Sequence, residues 1–148
     1  MVVVSIIGLL AGTVFPTYYE WFREQRLMLA ARQVQADFLW ARDQAVAQRA
    51  SYTLIFRRNT ANYSVLRVNQ TLRQTVLENG IKIAQTTFNA GTLWQDRFIF
   101  TEDGRARLPG MGGTVTLTDG RGRSRYVVIS RSGRVRIDRQ APRSDQEL

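Results

Sequence analysis

The chain has 148 residues, 44% of them hydrophobic and 22% charged, which suits one domain with its own core. It has no cysteine and no histidine, which excludes disulfides, thiol nucleophiles, Cys/His metal sites and the commonest general base near neutral pH. Net charge is +9, and of the 21 basic residues only Lys82 is lysine. That excess fits either a genomic preference for arginine codons or an anionic partner, since the guanidinium fork suits phosphate.

The first element is "MVVVSIIGLLAGTVFP", apolar from Met1 to Phe15 apart from Ser5 and Thr13, and closed by Pro16. As a helix, fifteen residues reach about 22 Å, short of the ~30 Å hydrocarbon core of a bilayer. A secretory signal peptide needs a basic start and a small-residue cleavage site, yet no basic residue precedes Arg23. A buried core helix would show one apolar face, and this run is apolar all round. A complete span fails on length. The remaining reading is a membrane span whose beginning lies upstream of Met1. Roughly six further apolar residues would bring the helix to about 31 Å.

After Pro16, Leu27, Ala31, Val34, Phe38, Ala41 and Ala45 recur at helical spacing. Arg26, Gln33, Asp37, Gln44 and Gln48 are expected on the opposite, solvent-facing side. No Gly or Pro interrupts residues 23–50, so one helix is expected from the N-terminus to about Ala50, kinked at Pro16.

From Ser51 the period changes to two. Strands are expected at 51–58, 62–68, 81–88, 96–101, 113–119, 124–130 and 134–138, with 71–77 a strand or a short connection. Asn79-Gly80, Asp103-Gly104, Asp119-Gly120 and Ser132-Gly133 mark turns between them. The fold class is therefore α+β. A long kinked N-terminal helix, apolar then amphipathic, packs on an antiparallel β-rich head of seven or eight strands in two sheets. The organisation is a membrane or filament-core segment 1–22, a head 23–138, and a disordered tail 139–148.

These features resemble a known family. Val2, Val3, Val4, Ile6, Ile7, Leu9, Leu10, Val14 and Phe15, followed by Pro16, read like the N-terminal helix of type IV pilins and type II secretion pseudopilins. "LAARQVQADFLWARDQAVAQRASYTLIF" and "YVVISRSGRVRI" resemble the GspH/FimT type of minor pilin. The resemblance implies a non-catalytic structural subunit with no cofactor and no small-molecule substrate. It implies other pilin or pseudopilin subunits and the bacterial inner membrane as partners, with the head outside the cytoplasm. It also implies that the prepilin peptidase site and an acidic residue near the mature N-terminus would precede Met1.

No catalytic constellation stands out; the acids read as scattered over helix surface and turns. Gly110-Met111-Gly112-Gly113 lacks the Lys-Ser/Thr of a phosphate loop. One local form recurs: Gly104–Arg107, Gly120–Arg123 and Gly133–Arg136 all read GRxR. Between residues 104 and 143, ten Arg face only Asp119 and Asp138. Two readings stand. Each glycine closes a turn, and in the last motif Arg134 and Arg136 alternate outward around Val135. Alternatively the arginines form a surface for DNA phosphates. Similar minor pilins of DNA uptake carry GRxR near the C-terminus, which corresponds to Gly133, Arg134 and Arg136 here, with Arg131, Arg139 and Arg143 extending the patch. Tyr126 is the one aromatic nearby, so duplex backbone contact is favoured over base stacking.

Overall fold

The computed structural model describes residues 2–78, 80–88, 96–107 and 112–142, with side chains from Glu20 onward. Helix α1 is Val2–Gln48, and among the described residues eight strands follow: β1 Tyr52–Phe56, β2 Asn62–Arg67, β3 Gln70–Val76, β4 Lys82–Thr86, β5 Arg97–Phe100, β6 Gly112–Thr118, β7 Ser124–Ser130 and β8 Val135–Asp138. The ambiguous segment 71–77 is thus a strand. The side chains of Val2–Pro16, and with them the expected kink, lie outside the described residues, as do Asn79, Met111 and the tail from Arg143. Among the described residues no helix is long and apolar enough to cross a membrane.

The amphipathic half of α1 is held by its stripe. Leu27, Ala30, Ala31, Val34, Phe38, Ala41 and Ala45 are all buried. Four of these seven are alanine, which lets the helix axis lie close to the sheets. The helix ends where Arg49 turns left-handed (φ 46°) and the Ala50 N–H donates to the Ala45 carbonyl at 3.2 Å.

The strands form two antiparallel sheets, ordered β3-β2-β1-β5 and β4-β6-β7-β8. α1 lies across both, against β1 and β5 of the first and β6, β7 and β8 of the second. Phe38 sits where they meet. Its ring stacks on Phe56 at 5.5 Å and meets the edges of Phe98 at 5.4 Å and Phe100 at 6.2 Å. Gly113 in β6 has no room for a side chain, because a Cβ there would lie 2.4 Å from Phe88.

Backbone bonds join the sheets away from the helix. Asn59 N–H donates to the Ile83 carbonyl, and Ile83 N–H donates to Thr60, both at 2.8 Å. These cover the outer edge of β4. The outer edge of β5 is covered by the segment after it, where Arg107 N–H donates to Ile99 at 2.9 Å. At β8, the Gln35 side-chain amide donates to the Val135 carbonyl at 3.2 Å. The hairpin β2–β3 turns through Val68 and Asn69 at φ 43° and 68°. A left-handed conformation costs a β-branched residue about 1–2 kcal/mol.

Candidate functional site

Three places on the head concentrate charge. The first is where α1 enters the head. The Arg123 guanidinium donates to the Glu20 carboxylate and, at 2.9 Å, to the Glu20 carbonyl. Arg125 in β7 donates to Glu24 at 2.6 Å, and Arg139 lies 3.8 Å from the same carboxylate. The Arg123 pair is exposed and contributes at most about 1 kcal/mol. Arg125 has only 10% of its side chain exposed, so its pairing matters more.

The second place corrects the expectation for Asp37. It does not face solvent; it is 5% exposed. Its carboxylate accepts hydrogen bonds from Tyr63 at 2.6 Å, Arg73 at 2.6 Å and Thr75 at 3.2 Å. These partners come from β2 and β3, so one helix carboxylate ties down that hairpin. Arg73 also lies over the Trp40 ring, 4.8 Å from its centroid. Burial, followed by the hydrogen bond to Asp37 and its charge, pushes the Tyr63 phenol well above its usual range. Asp37 stands one residue from Phe38, at the flank of the apolar stripe. That position was the available signal, and helical spacing alone could not say that a sheet would cover the flank as well.

The third place is the opposite end of the head. The first and third GRxR motifs meet there. A Cβ on Gly133 (φ 80°) would lie 2.6 Å from the Gly104 carbonyl and 3.1 Å from Arg42 Nε. A Cβ on Gly104 would lie 2.9 Å from Val46. Ala106 N–H donates to Arg131 at 3.2 Å, which completes the joint between the two turns. The second motif is elsewhere: Arg123 binds Glu20, about 33 Å down the helix from Arg42. The three copies are thus one joined pair and one separate turn.

The predicted arginines are sorted by their neighbours. Arg131 and Arg134 are exposed and have no ion-pair partner among the described residues. Arg105 and Arg107, also exposed, lie in the adjoining turn, and Arg105 is 3.6 Å from Asp103. The Thr101 hydroxyl donates to Asp103 and holds its carboxyl below the usual carboxylate range. Arg136 lies 3.0 Å from Asp138, and Arg139 reaches Glu24 at the far end, so neither adds a free charge to this turn. Tyr126 is half-buried in β7. Among the described residues no three acidic side chains converge to hold a metal.

A family model described as type II transport protein GspH matches residues 30–133. No curated protein matches the chain in sequence. Among solved structures, the type IV minor pilin FimU of Pseudomonas aeruginosa superposes with a TM-score of 0.63 at 18% identity, covering 80% of this chain and 92% of FimU. The minor pseudopilin EpsH of the Vibrio cholerae type II secretion system gives 0.62 at 13% identity, covering 81% of this chain and 98% of EpsH. At these identities the likeness is one of fold: a helix on a two-sheet antiparallel head.

Gly133→Ala places a methyl group against the Gly104 carbonyl in a left-handed backbone, whereas a Cβ on Gly120 meets nothing within 4 Å. Thermal unfolding of the two alanine variants should therefore differ. Gly120→Ala should cost about 1 kcal/mol from backbone conformation alone and Gly133→Ala at least twice that; equal losses would refute the joint. The Tyr63 phenol has a raised folded-state pKa against 10.0 when unconstrained. Its contribution is complete below pH 10.0 and declines above it, because only the unfolded chain then releases the proton. Stability should fall by about 1.4 kcal/mol per pH unit in that alkaline window from this group. Urea unfolding of Tyr63→Phe should show that part of the slope gone, together with a loss of about 1–3 kcal/mol at neutral pH. An unchanged alkaline slope would contradict the assignment.

Proposed function

We propose that the chain, which belongs to the GspH family of type II transport proteins, is a non-catalytic subunit of a pseudopilus or pilus. The observation that carries this reading is the division of α1. The helix is 47 residues long, and the stripe that its own head covers begins at Leu27. The apolar sequence Val2–Phe15 lies upstream on the same helix. Such a run is suited to the inner membrane and, after assembly, to the matching helices of neighbouring subunits. The head then stands outside the cytoplasm and presents its sheets and charged ends to other subunits.

A second reading rests on the joined turns. Arg131 and Arg134, which have no ion-pair partner among the described residues, lie beside Arg105 and Arg107 and form a cationic end, with Glu102 and Asp103 in the adjoining turn. That end suits the phosphates of duplex DNA, contacted without regard to sequence, as in uptake of DNA by a pilus.

Expressed in a bacterium from its own gene, the protein should sediment with membranes and resist alkaline carbonate extraction. Leu9→Arg, costing about 2.5–3.5 kcal/mol at the centre of a span, should move it toward the soluble fraction. A soluble wild-type protein overturns the anchor. For the DNA reading, the logarithm of affinity should fall linearly with the logarithm of salt concentration. Arg131→Ala and Arg134→Ala should each reduce that slope by about one, and Arg136→Ala by less because Asp138 already neutralises it. Wild-type behaviour in the Arg131/Arg134 double variant would exclude this surface.

A further inference from the structure

Two features of the head lie at one level along α1. Trp21 and Phe22 are large apolar side chains left exposed, at 56% and 43%, where the helix enters the head. Their rings meet edge to face at 6.4 Å, and the Arg26 guanidinium lies over Phe22, 5.1 Å from its centroid. Together with Gln25, Leu29 and Glu78 they line an open hollow of about 680 Å³. The turn between β6 and β7 is clamped to the same place, because Arg123 binds both the carboxylate and the carbonyl of Glu20. Gly120 and Gly122 in that turn have open space beside them, and Arg121 between them is exposed.

The helix gives that level a height. Glu20 and Trp21 follow Phe15, the last residue of the apolar run, by about 7.5 and 9 Å of helical rise. Helical side chains lean back toward the N-terminus, which brings the Trp21 and Phe22 rings nearer to that run. The headgroup layer outside the hydrocarbon core of a bilayer is about 5–7.5 Å thick on each face. Aromatic rings just past the end of an apolar helix are the composition of a membrane–water interface, and Tyr18 and Tyr19 add two more in the sequence.

The acids at this end do not cancel its cations. Glu20 is shared by Arg23 and Arg123, and Glu24 by Arg125 and Arg139, so two carboxylates meet four guanidiniums. Arg136 and Asp138 neutralise each other. Arg26, Lys82 and Arg121 are exposed with no ion-pair partner among the described residues, set against Glu78 and Asp119. Lys82 is carried to this end by its pairing with Thr118, the last residue before the β6–β7 turn. Asp119 is engaged within its own turn, where its carboxylate accepts the N–H groups of Arg121 and Arg123 at 2.9 and 3.2 Å.

We propose that this end of the head is seated on an anionic phospholipid surface. Trp21 and Phe22 enter the headgroup layer, and Arg26, Lys82 and Arg121 meet lipid phosphates around them. The seat rests on the reading of Val2–Phe15 as a membrane anchor, and it fixes how the head stands on that anchor. It also separates the second GRxR motif from the joined pair: one faces lipid, the other faces away from it.

The test uses the full chain reconstituted in vesicles of phosphatidylcholine, alone or with about 30% phosphatidylglycerol. A dye is attached through Gln140→Cys, which supplies a unique thiol because the chain has no cysteine. Gln140 is exposed and follows Arg139 at the same end of the head. Flotation with the vesicles reads the anchor, and quenching of the dye by a nitroxide on the lipid headgroup reads the seat. Quenching should be roughly threefold stronger with phosphatidylglycerol present. A dye on Ser132→Cys, at the opposite end, should show no such difference. Lys82→Gln combined with Arg121→Gln should remove the dependence on anionic lipid. Trp21→Ser combined with Phe22→Ser should weaken quenching in both vesicles. Both pairs should unfold near the wild-type temperature, because these side chains are exposed. Protein that floats with neither vesicle overturns the anchor and the seat together. The seat alone is overturned, and the anchor stands, if floating protein gives a signal at position 140 indifferent to anionic lipid, an equal response at position 132, or wild-type quenching in either double variant.

Discussion

The structure depends on a single requirement: the stripe from Leu27 to Ala45 must be covered, and one sheet cannot do it. A helix face lined by alanines approaches a sheet closely but leaves little side-chain volume between the layers. Phe38 supplies that volume at the centre, with Phe56, Phe98 and Phe100 around it. The two sheets meet over this ring cluster, and their order follows from it. β1 and β5 place Phe56, Phe98 and Phe100 against the helix, while β7 and β8 cover the rest of its length. The absence of any side chain at Gly113 belongs to the same packing, because Phe88 occupies the space.

Two four-stranded sheets create four edges, and unpaired edges invite association. The chain covers three of them with short local devices: the Asn59–Thr60 turn on β4, the segment after β5, and Gln35 on β8. The fourth, β3, has no such cover among the described residues and is held in position by Asp37 through Arg73 and Thr75. A buried carboxylate with three donors is costly to assemble, and such groups persist where they fix one arrangement. Here the arrangement is the placement of the β2–β3 hairpin against the helix.

Electrostatics divides the head into two ends. Where α1 enters, Glu20 and Glu24 attract Arg123, Arg125 and Arg139. At the other end Arg131 and Arg134 project without an ion-pair partner among the described residues, beside a turn where Arg105 and Arg107 adjoin Glu102 and Asp103. The surplus of arginine in the last third of the sequence is therefore not one patch. Folding neutralises part of it against the helix and leaves part exposed where the two glycine turns join.

Much of the fold was legible because it rests on periodicity. The helical repeat from Leu27 to Ala45 and the alternation in each strand are local properties, set by which side chains share a face. Residues 71–77 were ambiguous because "TLRQTVL" keeps only Thr75 and Leu77 buried, so the first half shows no alternation of burial. Asp37, Arg125 and the pairing of Gly104 with Gly133 could not be read from the sequence. Each is defined by a residue 26 or more positions away, and spacing along the chain carries no information about such contacts. The sequence by itself determined the elements, the core face of the helix and the basic charge. The tertiary structure alone decided which arginines stay free, which acid is buried and which edge remains open, because those depend on what folding brings alongside.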